Sequence, residues 1–164
     1  MRIRTYESRD LEACRALWVE LTDWHRRLYD DPALGGDDPG RIFDEHLERI
    51  GREHVWIADE DGRIVGLAGL IVRGRHGELE PIVVAEPARG RGFGRALAEA
   101  VRAAAVAEGL TRLTVRPAAR NADAVRFFHA LGFDVLGHVD LQVDLAGERE
   151  WRPGETLAGR DFRV

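Results

Sequence analysis

Between an apolar run and an alanine-rich segment the chain reads RGRGFGRA, residues 89–96, with three glycines at alternate positions. A glycine inside a helix or strand costs roughly 0.5–1 kcal/mol relative to alanine, so a cluster of them marks a place where bare backbone is required. The flanks are specific. ELEPIVVA, residues 78–85, is strand-like, and Gly94 to Glu108 is a strong helix former that Gly109 is placed to end. In a strand–turn–helix of this kind the first amide N–H groups of the helix have no partner and point outward at the positive end of the helix dipole. Gly90, Gly92 and Gly94 would let a diphosphate approach that backbone, and Arg89, Arg91 and Arg95 add positive charge. The same residues also read as a tight turn that needs only positive φ. Two nucleotide loops are excluded. The G-x-G-x-x-G fingerprint fails at Arg95, and a G-K-[ST] loop needs a lysine that the chain does not contain.

The rest of the chain alternates short strands with amphipathic helices. RIRTY reads as a first strand, and Ser8 as the cap of a helix with Leu11, Cys14, Leu17, Trp18, Leu21, Trp24 and Leu28 on one face. Asp38-Pro39 reads as a cap and first helical residue. Ile42, Phe43, His46, Leu47 and Ile50 follow on one helix face, closed by Gly51. HVWIA and IVGLAGLIV flank DEDGR as a hairpin does, and LTRLTVR is a further strand. Asn121 can cap the short helix ADAVRFFHAL, ended by Gly132. FDVLGHVDLQVDL alternates Val139, Leu141, Val143 and Leu145 with polar residues, as a half-buried strand does. The tail RPGETLAGRDFRV carries no clear signal.

At 164 residues the chain reads as one domain, 1–164, large enough to bury a core without disulfides or metal. Its single cysteine, Cys14, favours a reducing compartment, and MRIRTYESRD has no signal-peptide core, so a cytoplasmic location is expected. No apolar run is long enough to span a bilayer. All 24 basic residues are arginine, the mark of a GC-rich, bacterial coding sequence, and the net charge is −5. With no basic cluster interleaved with aromatics, nucleic acid is not an expected partner. His25, His46, His54, His76, His129 and His138 stand alone in sequence, so no metal site is expected.

Two blocks in register carry a family resemblance. ARGRGFGRAL resembles the acyl-CoA-binding loop of the GNAT N-acetyltransferase superfamily, Gln/Arg-x-x-Gly-x-Gly/Ala, with Arg89, Gly92 and Gly94 at its fixed positions. NADAVRFFHALGF resembles the same superfamily's next motif, Asn-x-x-Ala-x-x-Phe-Tyr-x-x-x-Gly-Phe, through Asn121, Ala124, Phe127, Gly132 and Phe133. The element order agrees from residue 1 to about 145. The resemblance implies an α/β fold of the α+β type: a mixed, mostly antiparallel central sheet flanked by helices, with two splayed strands holding acyl-CoA. The cofactor it implies is acetyl-CoA. The activity it implies is N-acetyl transfer to a primary amine, small-molecule or peptide, by direct attack in a ternary complex. A homodimer is a common arrangement in that superfamily.

By the same resemblance the amides of Arg91, Gly92, Phe93, Gly94 and Arg95 would hold the pyrophosphate. The backbone of Val83 and Val84 would pair with the pantetheine arm, and Asn121 would touch pantetheine or only cap its helix. An amine with a pKa near about 10 arrives protonated, so a base is needed. Glu80 stands where many members carry one, and Glu78 could share the task; either could equally be a surface carboxylate. Phe128 occupies the position where the superfamily often places a tyrosine acid, and it cannot donate a proton. Either the acid lies elsewhere or none is needed, since a thiol with a pKa near about 8.5 leaves as thiolate. The acceptor side would come from the first helices, with Trp24, His25, Tyr29 and the aspartates around residue 30. Trp24 reads as core just as well. A second class stays open, a non-catalytic acyl-CoA-binding sensor or scaffold, because the acid is missing.

Overall fold

The computed structural model describes residues 1–145, 147 and 150–164, which fall into two compact units, Met1–Val115 and Arg116–Val164. In the first unit the elements run β1 (Arg2–Thr5), α1 (Leu11–Tyr29), α2 (Pro39–Ile50), β2 (Val55–Glu60), β3 (Arg63–Arg73), β4 (His76–Val84), α3 (Phe93–Ala107) and β5 (Arg112–Thr114). The sheet order is β1-β2-β3-β4-β5. β1 to β4 are antiparallel to their neighbours and β5 lies parallel to β4. A mixed, mostly antiparallel sheet with flanking helices is the architecture expected from the sequence.

Local chemistry explains most boundaries. Asp38 Oδ1 accepts the Arg41 N–H at 3.2 Å with Pro39 at the first helical position, and the Gly51 N–H closes α2 on Leu47 O at 3.0 Å. The Asp61-Gly62 tip of the β2–β3 hairpin has both residues at positive φ, as a two-residue turn matched to strand twist requires. The start of α1 differs from the expected Ser8 cap. Ser8 lies in a 3₁₀ turn and its hydroxyl accepts Arg52 Nη1 at 2.9 Å, whereas the Asp10 carboxylate accepts the Glu7 N–H at 2.8 Å. Asp10 also takes a two-pronged bond from Arg4, at 2.7 and 2.8 Å, and is itself buried. That bond, partly offset by burial, holds the Asp10 carboxyl below the usual carboxylate range. It anchors β1 to the start of α1.

Cys14 and Leu17 of α1 and Phe43, Leu47 and Ile50 of α2 pack with Ile57, Leu67, Ile71 and Val83 of the sheet. α3 covers the other face: a side chain at Gly66 on β3 would meet Leu97 of α3. Burial pushes the Cys14 thiol up to about 12, which leaves it a core residue and no nucleophile.

β4 carries the feature that positions the site. Its register against β3 runs Gly66↔Val84, Leu67↔Val83 and Ala68↔Ile82, then resumes at Leu70↔Leu79 and Ile71↔Glu78. Two residues of β4, Glu80 and Pro81, therefore face one of β3, Gly69: a β-bulge. Only glycine fits opposite it, because a Cβ at Gly69 would lie 2.5 Å from the Glu80 carbonyl oxygen. Gly69→Ala is expected to destabilise the fold by about 1–3 kcal/mol through overpacking and to displace Glu80, read as a lower urea midpoint together with a lower kcat.

The second unit holds α4 (Ala122–His129) and a hairpin of β6 (Pro153–Leu157) and β7 (Arg160–Arg163). Asn121 Oδ1 accepts the Ala124 N–H at 3.0 Å and so caps α4 as expected. The strand expected in FDVLGHVDLQVDL is not formed across 134–145. Val135, Leu136, Leu141, Val143 and Leu145 are exposed, the last 91% so. Its alternation supplies an apolar face but no ladder partner, and a strand needs both. The tail, which carried no clear sequence signal, forms this hairpin, and both residues of its turn, Ala158-Gly159, have positive φ.

Candidate active site

The site begins where the sheet parts. β5 pairs with β4 at His76↔Arg112, Gly77↔Leu113 and Glu78↔Thr114, so beyond Glu78 that edge of β4 carries no neighbouring strand among the described residues. On the other edge the Ala85 N–H donates to Val65 O at 2.9 Å, which sets the alternation of an antiparallel ladder. Val83, two residues earlier, turns its peptide groups toward β3, and Ile82 and Val84 turn theirs to the open edge. Of the two valines picked from sequence, Val84 thus offers its backbone groups and Val83 contributes a buried side chain to the core.

At the end of this edge lies the glycine loop. Gly90 and Gly92 have φ of +73° and +90°, and a Cβ at either would meet no atom within 4 Å. The first bond inside α3 is Ala96 N–H to Gly92 O at 3.1 Å, so the amides before it have no helical acceptor. Phe93 is buried and anchors the turn; Gly94 and Arg95 follow on the first turn of α3. The loop arginines are not free charges. Arg91 Nη1 donates to Glu60 Oε2 at 3.0 Å, its other terminal nitrogen is in short contact with Glu60 Oε1, and its guanidinium lies 5.5 Å from the centre of the Phe93 ring. Arg89 Nη2 donates to Glu20 Oε1 at 2.9 Å and its Nε to Val84 O at 2.9 Å. Arg95 lies 3.7 Å from Glu99, one turn along the helix. The pull of the loop on an anion comes from amides and helix dipole more than from these side chains.

Glu80 sits in the bulge, its side chain 49% exposed and 4.0 Å from Arg49 Nη2 of α2. Glu78, opposite Ile71, is buried. Behind them His46 of α2 packs on Trp18 with ring centres 5.0 Å apart, and its Nδ1 lies 2.8 Å from Arg49 Nη2. A guanidinium only donates, so this nitrogen is the acceptor. Burial first, then the Arg49 charge, partly opposed by the Glu80 backbone, push His46 down to about 4. Between pH 6.5 and about 4 the unfolded chain takes a proton that the folded one refuses. Stability is therefore full above about pH 6.5 and falls by about 3 kcal/mol as pH drops through 4. Urea titrations at pH 7.5, 5.5 and 4.5 check this: His46→Gln should flatten that part of the slope, and an unchanged slope would exclude His46 as its source.

The three α1 residues expected on the acceptor side are neighbours on one helix. Trp24 and His25 ring centres are 5.1 Å apart and His25 and Tyr29 6.1 Å, in a half-buried row on α1. Burial lowers the His25 pKa, which favours a neutral ring. In the second unit Phe128 is buried, packed edge-on against Phe127 at 5.1 Å and Phe133 at 5.6 Å. Glu20, Glu60, Arg49 and His46 are the site-associated residues that sequence reasoning missed. Among the described residues no cluster of metal-ligand side chains occurs and no helix is long and apolar enough to cross a membrane.

The sheet thus parts along β4, with a glycine loop and the N-terminus of α3 at the end of the gap. The chain belongs to the acetyltransferase (GNAT) family, whose model matches residues 18–133. The cofactor of this family is acetyl-CoA, and the positive-φ glycines, free amides and open edge of β4 fit its phosphate and peptide-like arm. Solved structures agree on the fold. The tetramutant of the BH1408 protein from Bacillus halodurans is 20% identical with a TM-score of 0.74, over 88% of this chain and 100% of that one. Ribosomal-protein-alanine N-acetyltransferase from Brucella melitensis is 25% identical with a TM-score of 0.64, over 80% of this chain and 83% of that one. AAC(6')-Iy, solved with the bisubstrate analogue CoA-S-monomethyl-acetylneamine, is 23% identical with a TM-score of 0.65, over 87% and 97%. No curated protein matches the sequence.

Proposed function

We propose that the protein is an N-acetyltransferase that acetylates a primary amine on a small cationic molecule or a peptide, with Glu80 as the general base. The bulge at Glu80–Pro81 carries the reading: it brings a half-exposed carboxylate to the point where the open edge of β4 begins, with the glycine loop at the other end. Acetyl-CoA, when bound, supplies an acetyl group activated as a thioester. The amides from Arg91 to Arg95 hold the pyrophosphate, and the outward peptide groups of Ile82 and Val84 orient the arm as a strand would. Glu80 Oε takes the proton that an ammonium must lose before its nitrogen can attack, directly or through one water. The Arg49 guanidinium lies 4.0 Å from that carboxylate. Phe128 packs in an aromatic cluster and moves no proton, consistent with departure of the thiolate unaided. Trp24 and Tyr29 offer aromatic faces to a cation, with a His25 held toward neutrality that does not repel it. The family match runs across the boundary between the two compact units, which supports reading residues 1–164 as one domain.

The test is a screen of polyamines, aminoglycosides, amino acids and peptides with acetyl-CoA, following free thiol. Acceptor-dependent release supports the reading. Tight acetyl-CoA binding with no release for any amine would overturn it in favour of a sensor or scaffold.

A further inference from the structure

We propose that Glu20, midway along α1, is a positioning residue for the acyl-CoA loop, acting through Glu86 and Arg89 and not on the ligand. One oxygen does both tasks. Glu20 Oε1 accepts the Glu86 backbone N–H at 2.8 Å and Arg89 Nη2 at 2.9 Å, while Arg89 Nε donates to the Val84 carbonyl at 2.9 Å. A side chain from the first helix thereby closes the turn Ala85–Arg89, which joins the open edge of β4 to the first loop glycine. Val84 O is one of the groups that face the open edge, so the same contacts occupy the last outward carbonyl of that edge and set the entry to the cradle.

The geometry argues for positioning over stabilisation. Glu20 is 33% exposed and Arg89 45%, and an ion pair in such surroundings adds little to folding. Residues 20 and 89 are 69 positions apart, so no local structure brings them together. What the contacts do is hold the turn in one conformation before the ligand arrives, which favours binding by removing an ordering cost. This role rests on reading the loop as the pyrophosphate cradle.

The experiment is calorimetric titration with coenzyme A of the intact protein and of Glu20→Ala, Glu20→Gln, Arg89→Ala, the Glu20→Ala/Arg89→Ala double variant and Gly92→Glu. Glu20→Ala should weaken binding about tenfold, and Glu20→Gln, whose amide oxygen still accepts both bonds, only about threefold or less. The double variant should bind no worse than the weaker single one, because the two residues act as one unit. Hydrogen exchange of the free protein adds a readout that overall stability does not move: the Glu86 amide should exchange faster in Glu20→Ala while amides in β3 stay unchanged. Should Glu20→Ala not fold, Arg89→Ala carries the same expectation of about tenfold weaker binding. Wild-type affinity in Glu20→Ala, with Gly92→Glu inactive in binding, overturns the role of Glu20 and leaves the cradle standing. Wild-type affinity in both overturns the cradle reading and the proposal with it.

Discussion

Gly92→Glu is expected to abolish acetyl-CoA binding, with a loss of at least about 100-fold in affinity, or roughly 3 kcal/mol. Two effects add. Gly92 sits at φ +90° as the residue preceding the first turn of α3, a region that costs an L-residue about 1–2 kcal/mol, so relief of that strain moves the loop amides out of the shape that receives the phosphates. The new carboxylate also stands at the amides that receive the phosphates, where a second anion is repelled. The fold should survive, because a Cβ at this position meets no protein atom within 4 Å. That opening separates the two effects. Gly92→Ala adds strain without charge and should lose about tenfold or less, since only the left-handed penalty and a single methyl group act. Calorimetry with acetyl-CoA, beside thermal unfolding of each variant, reads both numbers. Equal affinities in wild type and Gly92→Glu would remove the loop from the cofactor site.

Glu80→Gln is expected to lower kcat by about 10²–10⁴-fold and to leave KM for acetyl-CoA within about twofold, because a base acts in the chemical step and not in binding the donor. The substitution keeps shape and removes the proton acceptor. Its pH dependence gives a second check. In the variant the rate should climb toward the pKa of the acceptor amine, near about 10, as the amine deprotonates without help. The native enzyme should level off earlier. A variant that keeps native kcat at pH 7.5 would take Glu80 out of the mechanism and return attention to the buried Glu78.

Features whose causes are local were legible in the sequence. Asp38 and Asn121 cap the helices they were expected to cap, through bonds to residues three positions on. The 3- and 4-residue spacing of Cys14, Leu17, Phe43, Leu47 and Ile50 places them in one core. The glycine loop is readable for the same reason: strand, turn and helix are contiguous, and only glycine takes those φ values cheaply. Features set by distant partners were not legible. Glu60 is 31 residues from Arg91, and nothing near either announces the pair. The bulge left a weak trace, because a proline inside a strand marks an edge or an irregularity, and Pro81 is both. Residues 134–145 show the opposite error. Alternation there was read as a strand, yet a pattern of side chains says nothing about whether a neighbour exists to complete the ladder.

The extra residue in β4 also decides where this chain can change length. Side chains alternate along a strand with period two, and the bulge sets the two halves of β4 out of phase: Glu78 faces the side of Ile71, and after Glu80–Pro81 the buried Val83 lies on that same side five positions on. Loss of one residue there would swap Val83 and Val84 between the two faces and carry the following loop round with them. Single-residue insertions or deletions between Leu79 and Ile82 are therefore not tolerable in descendants of this sequence.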